Sequence, residues 1–223
     1  MATDDSFFPA PDTRFPVRLA DGTSHKGTVF LNAVVDHPRM SVGAYTYASA
    51  FDPPQDWAAR LAPYLFDFSP ERLVIGKFCQ IADGVMFITA SANHRHDGIA
   101  TFPFAIFDDG PKEGRASLPD AGPDTVIGND VWLGQGARIL PGAQLGNGVI
   151  VGAGAVVGGA VPSYSVVAGN PARPMRRRFS DTDCDRLDRI AWWDWPIDLI
   201  RAHEAVICGG DVDALAAVDP GGR

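Results

Sequence analysis

Stepping through the chain six residues at a time from Ile127 meets Leu133, Ile139, Leu145, Val151 and Val157, all aliphatic. The same step upstream meets Ile75, Ile81 and Phe87. The next residue is usually glycine, at Gly76, Gly128, Gly134, Gly146, Gly152 and Gly158. Four residues after a stop the side chain is small, as at Cys79, Val131, Ala137, Ala143, Val149, Ala155 and Val161. A helix repeats every 3.6 residues and a strand every two, so neither carries a period of six. A solenoid does, with each hexapeptide forming one short face and one turn. The aliphatic residue fills the interior and the small residue lets the corner close. The glycine is expected to supply a backbone angle that other residues resist.

The chain has 223 residues, room for one domain or a domain with an appendage. Its net charge of -8 argues against nucleic acid, because phosphate binding needs a basic face. No run of 18 apolar residues exists, so no membrane span is expected. The start, Met1 to Asp5, lacks a basic region followed by an apolar one and does not read as a secretory signal. The cysteines Cys79, Cys184 and Cys208 are scattered and odd in number. Free thiols and a cytoplasmic location follow as expectations, with Cys79 packed in the repeat.

The pattern divides the chain into three parts. Residues 1–40 read as an N-terminal arm, polar to about residue 15, followed by strands such as Thr28 to Leu31. Residues 41–170 read as a β-helix with excursions at about 50–70 and 93–124. Residues 171–223 read as a helical segment. Val42-Gly43 opens a possible first hexapeptide, but Val42 and Ile75 are not a multiple of six apart. Ser163 is expected as a weak final stop. Ala168-Gly169-Asn170-Pro171 is a turn cluster. Ser180 starts a helix with acids in its first turn. A second helix is expected from near Pro196 to Gly209-Gly210, then a short helix or a frayed tail. Trp192, Trp193 and Trp195 are read as burying this appendage against the prism. A rigid scaffold carries its chemistry in inserted loops more often than in its walls, which directs attention to 93–124 and its Asn93-His94-Arg95.

Four segments narrow the reading. Ile75-Gly76-Lys77-Phe78-Cys79-Gln80-Ile81 resembles the entry coil of the xenobiotic acetyltransferase family of hexapeptide-repeat acyltransferases. Asp130-Val131-Trp132-Leu133-Gly134, Ala168-Gly169-Asn170-Pro171-Ala172-Arg173 and Trp192-Trp193-Asp194-Trp195-Pro196 resemble further motifs of that family, in the same order. The resemblance covers roughly residues 40 to 200. It implies a mainly β fold, a left-handed parallel β-helix with an inserted active-site loop and a short C-terminal helical appendage. It implies a homotrimer with active sites between subunits, acetyl-CoA as co-substrate and a small hydroxylated molecule as acceptor. Type B chloramphenicol and streptogramin A acetyltransferases belong to this family.

Acetyl transfer to a hydroxyl needs a base, and imidazole is suited to that task. By the resemblance His94 is the catalytic base, and Asn93 beside it contacts substrate. His96 is read as secondary; His25, His37 and His203 as surface or structural. Trp132 precedes a repeat leucine, at a site usually held by a small outward-facing residue. In the family that tryptophan lies beside the thioester; an ordinary interface aromatic is the alternative. Tyr47 matches an acceptor-contacting aromatic, although Ala48-Ser49-Ala50 departs from the family's polar run. Phe102 and Pro103, with Phe104, shape an apolar acceptor pocket. Gly134, Ala137, Gly152 and Ala155 are candidates to let the pantetheine arm approach the backbone. Arg173, Arg176, Arg177 and Arg178 form the one dense basic stretch. Contact of some of them, Arg173 and Arg176 first, with the CoA phosphates competes with a solvated helix-start patch. Gly134-Gln135-Gly136 and Gly152-Ala153-Gly154 lack the third glycine and the strand-helix context of a dinucleotide site. No metal is expected: γ-type carbonic anhydrases share the prism, but only His94 and His96 stand close together. A sugar or glycan acceptor, and a non-catalytic scaffold, are the remaining alternatives.

Overall fold

The period of six becomes three stacked ladders of short strands in a computed structural model that describes residues 8–222. One face pairs Met40–Val42, Leu73–Ile75, Thr125–Ile127, Gln144–Leu145 and Ala160–Val161 in parallel. The second pairs Tyr47–Ser49, Gln80–Ile81, Trp132–Leu133, Ile150–Val151 and Ser165–Gly169 in parallel. Antiparallel strands Thr28–Phe30 and Ala172–Arg177 flank it. The third pairs Met86–Phe87, Arg138–Ile139 and Val156–Val157. The chain visits the faces in rotation, so Ile127 pairs with Leu145 one full turn later. This is a parallel β-helix.

The stops build the core. Ile75, Ile81, Phe87, Ile127, Leu133, Ile139, Leu145, Val151 and Val157 are at most 3% exposed. The small residues Cys79, Val131, Ala137, Ala143, Val149 and Ala155 fill the corners with no exposed surface. The phase break after Val42 is an insertion and leaves the ladder intact, because Val42 still pairs with Ile75. The last turn corrects one expectation. Leu145 pairs with Val161, and Val151 with Val167. Two residues are missing at the Gly158-Gly159 corner, so the stop expected at Ser163 falls at Val161, and Val167 is the last one. Ser163 instead sits on a corner, where its Oγ accepts from Asn147 N at 3.2 Å.

The glycines after the stops have a different job from the one expected. None of Gly76, Gly128, Gly134, Gly146, Gly152 and Gly158 has a positive φ. Their use is close approach. A Cβ on Gly76 would lie 2.5 Å from the Gly128 carbonyl oxygen, and one on Gly146 would lie 2.5 Å from Ser163 N. The left-handed backbone comes two residues further on, at Gly84, Gly136, Gly142, Gly148 and Gly154, and at Tyr45, Phe78, Asp130 and Tyr164. A side chain there costs about 1–2 kcal/mol. Tyr45 and Phe78 offset this by stacking at 4.9 Å, and Phe78 packs on Trp192 at 5.0 Å. A side-chain ladder climbs the same corner: Asn129 Oδ1 accepts from Lys77 N at 2.7 Å, and Asn147 Oδ1 from Asn129 N at 2.8 Å.

The first excursion stands in for the missing third face of the first turn. Its helix Trp57–Leu61 starts where Asp56 Oδ1 accepts from Ala59 N at 2.9 Å. Trp57, Ala58, Leu61, Ala62 and Leu65 join the prism core. After the repeat, the chain turns back at Asn170-Pro171, a cis peptide. Helix Asp181–Ile190 follows, with Ser180 Oγ accepting from Asp183 N at 3.1 Å. Helices Ile197–Ala202, Glu204–Ile207 and Val212–Ala217 complete the appendage. The last of these is ordered helix, with Val212 and Leu215 buried. A separate apolar cluster of Tyr164, Cys184, Leu187, Ile190, Trp195, Val212 and Leu215 holds it together. Lys77 Nζ and Asp194 tie it to the prism at 2.9 Å. Of the expected N-terminal arm, residues 1–7 lie outside the described residues. Among the described residues no helix is long and apolar enough to cross a membrane.

Two measurements check this packing. Gly76→Ala is expected to lower unfolding free energy by about 1–3 kcal/mol in urea titrations, because backbone crowds the new methyl from the next turn. Gly136→Ala meets no atom within 4 Å but has φ +69, and should lose about 1 kcal/mol. A Gly76→Ala protein as stable as the parent would refute the stacking account. Burial pushes the Cys79 thiol up to about 12, and its Sγ–H donates to Gly128 O at 3.1 Å. The thiolate is the reactive form, so at pH 8 a disulfide reagent should titrate exposed Cys208 and spare buried Cys79 and Cys184 until denaturant is added. An unfolded thiol ionises near about pH 8.5. Stability linked to Cys79 is therefore full below that pH and declines as pH rises towards 12.

Candidate active site

On each strand of the second face, the residue before the inward stop points outward. Register places Tyr47, Gln80, Trp132, Ile150 and Val166 in one column. Tyr47 and Trp132 therefore flank Gln80 and line one cleft of about 480 Å³. Trp132 is 51% exposed, so its ring serves the surface and not the core. His25, Thr28, Phe51, Pro53, Asp83 and Gln135 also line the cleft. Gln80 Nε2 donates to Phe78 O and reaches Asp130 Oδ1 at 3.5 Å. Burial pushes the Asp130 carboxyl up, opposed by Arg178 and Gln80, with Arg178 3.6 Å away.

The second excursion leaves the prism after Met86–Phe87 and returns at Thr125–Ile127. A 3-10 turn, Ala90–Ala92, leads into Asn93 and His94, both exposed. His94 Nδ1 lies 3.0 Å from Thr101 O. A carbonyl only accepts, so Nδ1 carries the hydrogen and Nε2 of the neutral ring keeps its lone pair. Arg95 braces the loop, donating to Asp97 at 2.7 Å and to Ala116 O at 2.9 Å. That hydrogen bond holds the Asp97 carboxyl below the usual carboxylate range. His96 Nδ1 sits 3.4 Å from His94 O. Phe102 packs against Phe104 and Phe107 at 4.8 and 5.4 Å between ring centres. Pro103 is buried, whereas Phe102, Phe104, Ile106 and Phe107 are more than half exposed.

One chain brings Tyr47 and Trp132 together but leaves Asn93, His94, Phe102 and Pro103 outside their cleft. Two of the small-residue candidates, Ala137 and Ala155, need correction. Ala137 and Ala155 have no exposed surface, so neither can touch a molecule lying along the prism. Gly134 is buried, and a Cβ there would lie 2.7 Å from Ala153 N. Gly152 is half-buried, with a Cβ position 2.9 Å from Ala168 Cβ. Their small size serves turn stacking. The basic stretch divides cleanly. Arg177 donates to Ser163 O and Ser165 Oγ and pairs with Asp181. Arg178 donates to Gly148 O and lies over Tyr164 and Phe179. Arg173 and Arg176 are exposed on strand Ala172–Arg177 with no acidic partner among the described residues. The stretch is thus a sheet edge and not a helix start.

Sequence reasoning missed His25, Gln80, Asp83 and Gln135. Gln80 carried a signal, since it precedes Ile81 as Trp132 precedes Leu133. His25 carried none, because only the fold-back of the N-terminal segment places it on the cleft. Among the described residues no group of three His, Cys, Asp or Glu side chains is placed to hold a metal ion.

Comparison with known proteins agrees with this geometry. The family described as bacterial transferase hexapeptide (six repeats) matches residues 124–159. A chloramphenicol acetyltransferase of Agrobacterium fabrum is 40% identical over 194 residues, 84% of this chain and 90% of that one. A virginiamycin A acetyltransferase of Staphylococcus aureus is 33% identical over 211 residues, 93% of this chain and 92% of that one. A probable macrolide acetyltransferase of Lysinibacillus sphaericus is 47% identical over 133 residues, 58% of this chain and 73% of that one. Repeat, column and matches together place the chain in the xenobiotic acetyltransferase family of hexapeptide-repeat acyltransferases, and it is an acetyltransferase.

Proposed function

We propose that this protein O-acetylates a hydroxyl of a small antibiotic-like molecule, with His94 as general base. The observation that carries the proposal is the His94 Nδ1–Thr101 O hydrogen bond, which leaves Nε2 free to accept a proton. Nε2 takes the acceptor's hydroxyl proton as that oxygen attacks the thioester carbonyl carbon. The tetrahedral intermediate collapses, the carbon–sulfur bond breaks, and the CoA sulfur receives the proton from Nε2. The products are the acetyl ester and free CoA thiol, and the ring returns to its starting tautomer. Tyr47 and Trp132 hold the acceptor and the thioester end, while Asn93, Phe102 and Pro103 approach from the loop. Arg173 and Arg176 grip the CoA phosphates, because a guanidinium matches phosphate geometry.

The same proposal includes a left-handed coil and a closed homotrimer. Within one chain His94 and the Tyr47–Trp132 cleft belong to different faces, and the loop exposes Phe102, Phe104, Ile106 and Phe107. A neighbouring prism brings the two halves together and covers those rings. Free thiols favour the cytoplasm as the place of action. The relatives act on acceptors of the class named in their descriptions, and the apolar and aromatic cleft suits such molecules.

Purified protein is mixed with acetyl-CoA and, in turn, chloramphenicol, a streptogramin A, a macrolide and simple sugars, and CoA thiol release is followed. Release with an antibiotic and not with sugars is expected; release with sugars alone would overturn the acceptor class. His94→Ala should lower kcat at least about 100-fold, and full turnover in that variant would remove His94 as base. Arg173→Ala and Arg176→Ala should each raise KM for acetyl-CoA about tenfold, the size of one lost charge-assisted hydrogen bond. KM for the acceptor should stay put, and the effect should shrink as salt screens the pair.

A further inference from the structure

Glu71 is the one charged residue in the buried set of the described residues, at 1% exposed. It stands where the first excursion rejoins the prism, just before Leu73–Ile75. An unpaired carboxylate in that setting is strongly unfavourable, so its partners show what it is for. Glu71 Oε1 accepts from Ser91 N at 2.6 Å, and Oε2 from Ser91 Oγ at 3.2 Å. Ser91 Oγ also lies 2.7 Å from Ser69 Oγ, which accepts from Phe66 N at 2.9 Å. Ser91 is the middle of the Ala90–Ala92 turn from which Asn93 and His94 depart. The neighbouring Arg72 N donates to Asp124 Oδ1 at 2.7 Å, at the far end of the same loop. Gly122 closes the neck, since a Cβ there would lie 2.3 Å from Ala90 Cβ. Both ends of the long excursion are therefore fastened to the two residues that end the short one.

We propose that Glu71 is a positioning residue for acetyl transfer. It fixes the take-off of the loop through Ser91, while Thr101 O fixes the ring of His94 from the other side. Through Ser69 it also sets the short excursion, which supplies Phe51 and Pro53 to the cleft, in register with the loop that carries His94. The inference rests on His94 being the base. Glu71 is buried, so its effect reaches the reaction through the groups it positions, His94 first.

The test compares Glu71→Ala, Glu71→Gln, Ser91→Ala and His94→Ala, with chloramphenicol as acceptor, below the temperature at which circular dichroism first departs from the native signal. Glu71→Ala should lower kcat about 100-fold, the loss that follows a misplacement near 1 Å, with KM for acetyl-CoA unchanged. Glu71→Gln should recover most of kcat, because its amide oxygen still accepts from Ser91 N–H and its N–H₂ donates to Ser91 Oγ. A second readout needs no acceptor. In ¹⁵N-histidine NMR the Nδ1–H signal of His94, identified by its loss in His94→Ala, should be lost in Glu71→Ala and kept in Glu71→Gln. Folded Glu71→Ala with parental kcat and an unchanged His94 signal overturns the inference. Where Glu71→Ala does not fold, Ser91→Ala decides by the same two readouts: a fall in kcat with an altered signal supports the proposal, and parental values overturn it. Full turnover by His94→Ala defeats the base assignment, while the NMR comparison still judges whether Glu71 holds the loop.

Discussion

Close approach of backbone to backbone at the prism corners is the constraint on which everything else depends. At Gly43, Gly76, Gly128 and Gly146 an added Cβ would lie 2.5 to 2.7 Å from atoms of the next turn. Strand ladders keep neighbouring strands about 4.8 Å apart, and the corners must follow at the same spacing. Glycine lets them, and the Asn129–Asn147 ladder pins each corner to the next. With the corners stacked, the aliphatic stops pile into one column of core and the outward residues into columns of surface.

Those surface columns make the candidate site. Tyr47, Gln80 and Trp132 lie far apart in sequence, yet parallel pairing sets them side by side. A rigid wall holds its side chains in place, which is what orientation of two reactants requires. His94, the proposed base, sits instead on an excursion, and the buried Glu71 carboxylate and the Arg72–Asp124 contact close that excursion at its neck.

The αL corners show how local strain is carried. Asp130 and Tyr164 hold the left-handed angle with side chains present. Both face the C-terminal appendage, where Arg178 lies 3.6 Å from Asp130 and over the Tyr164 ring. Tyr45 and Phe78 hold it through ring stacking. The appendage is thus more than a cover: Trp192, Arg178 and Asp194 support corners that the repeat alone would strain.

The repeat was legible in the chain because period, stop and corner residue are local in sequence. It determined the inward column from Ile75 to Val157, the two excursions, the Ser180 cap and the loop bearing His94. It misjudged what depends on neighbours in space. The glycines after the stops looked like backbone-angle residues, yet contact with the next turn explains them, and that contact is with residues one full turn away. Ala137 and Ala155 looked available to a ligand because their smallness is visible in sequence and their burial is not. Ser163 kept the period on paper, while the ladder moved the stop to Val161 by dropping two residues at a glycine corner. Only the tertiary structure decided which arginines stay free, that His25 reaches the cleft, and that Glu71 lies beneath the loop. Each of these rests on a contact between residues distant in the chain, where hydrogen-bond geometry and burial, and not sequence spacing, set the outcome.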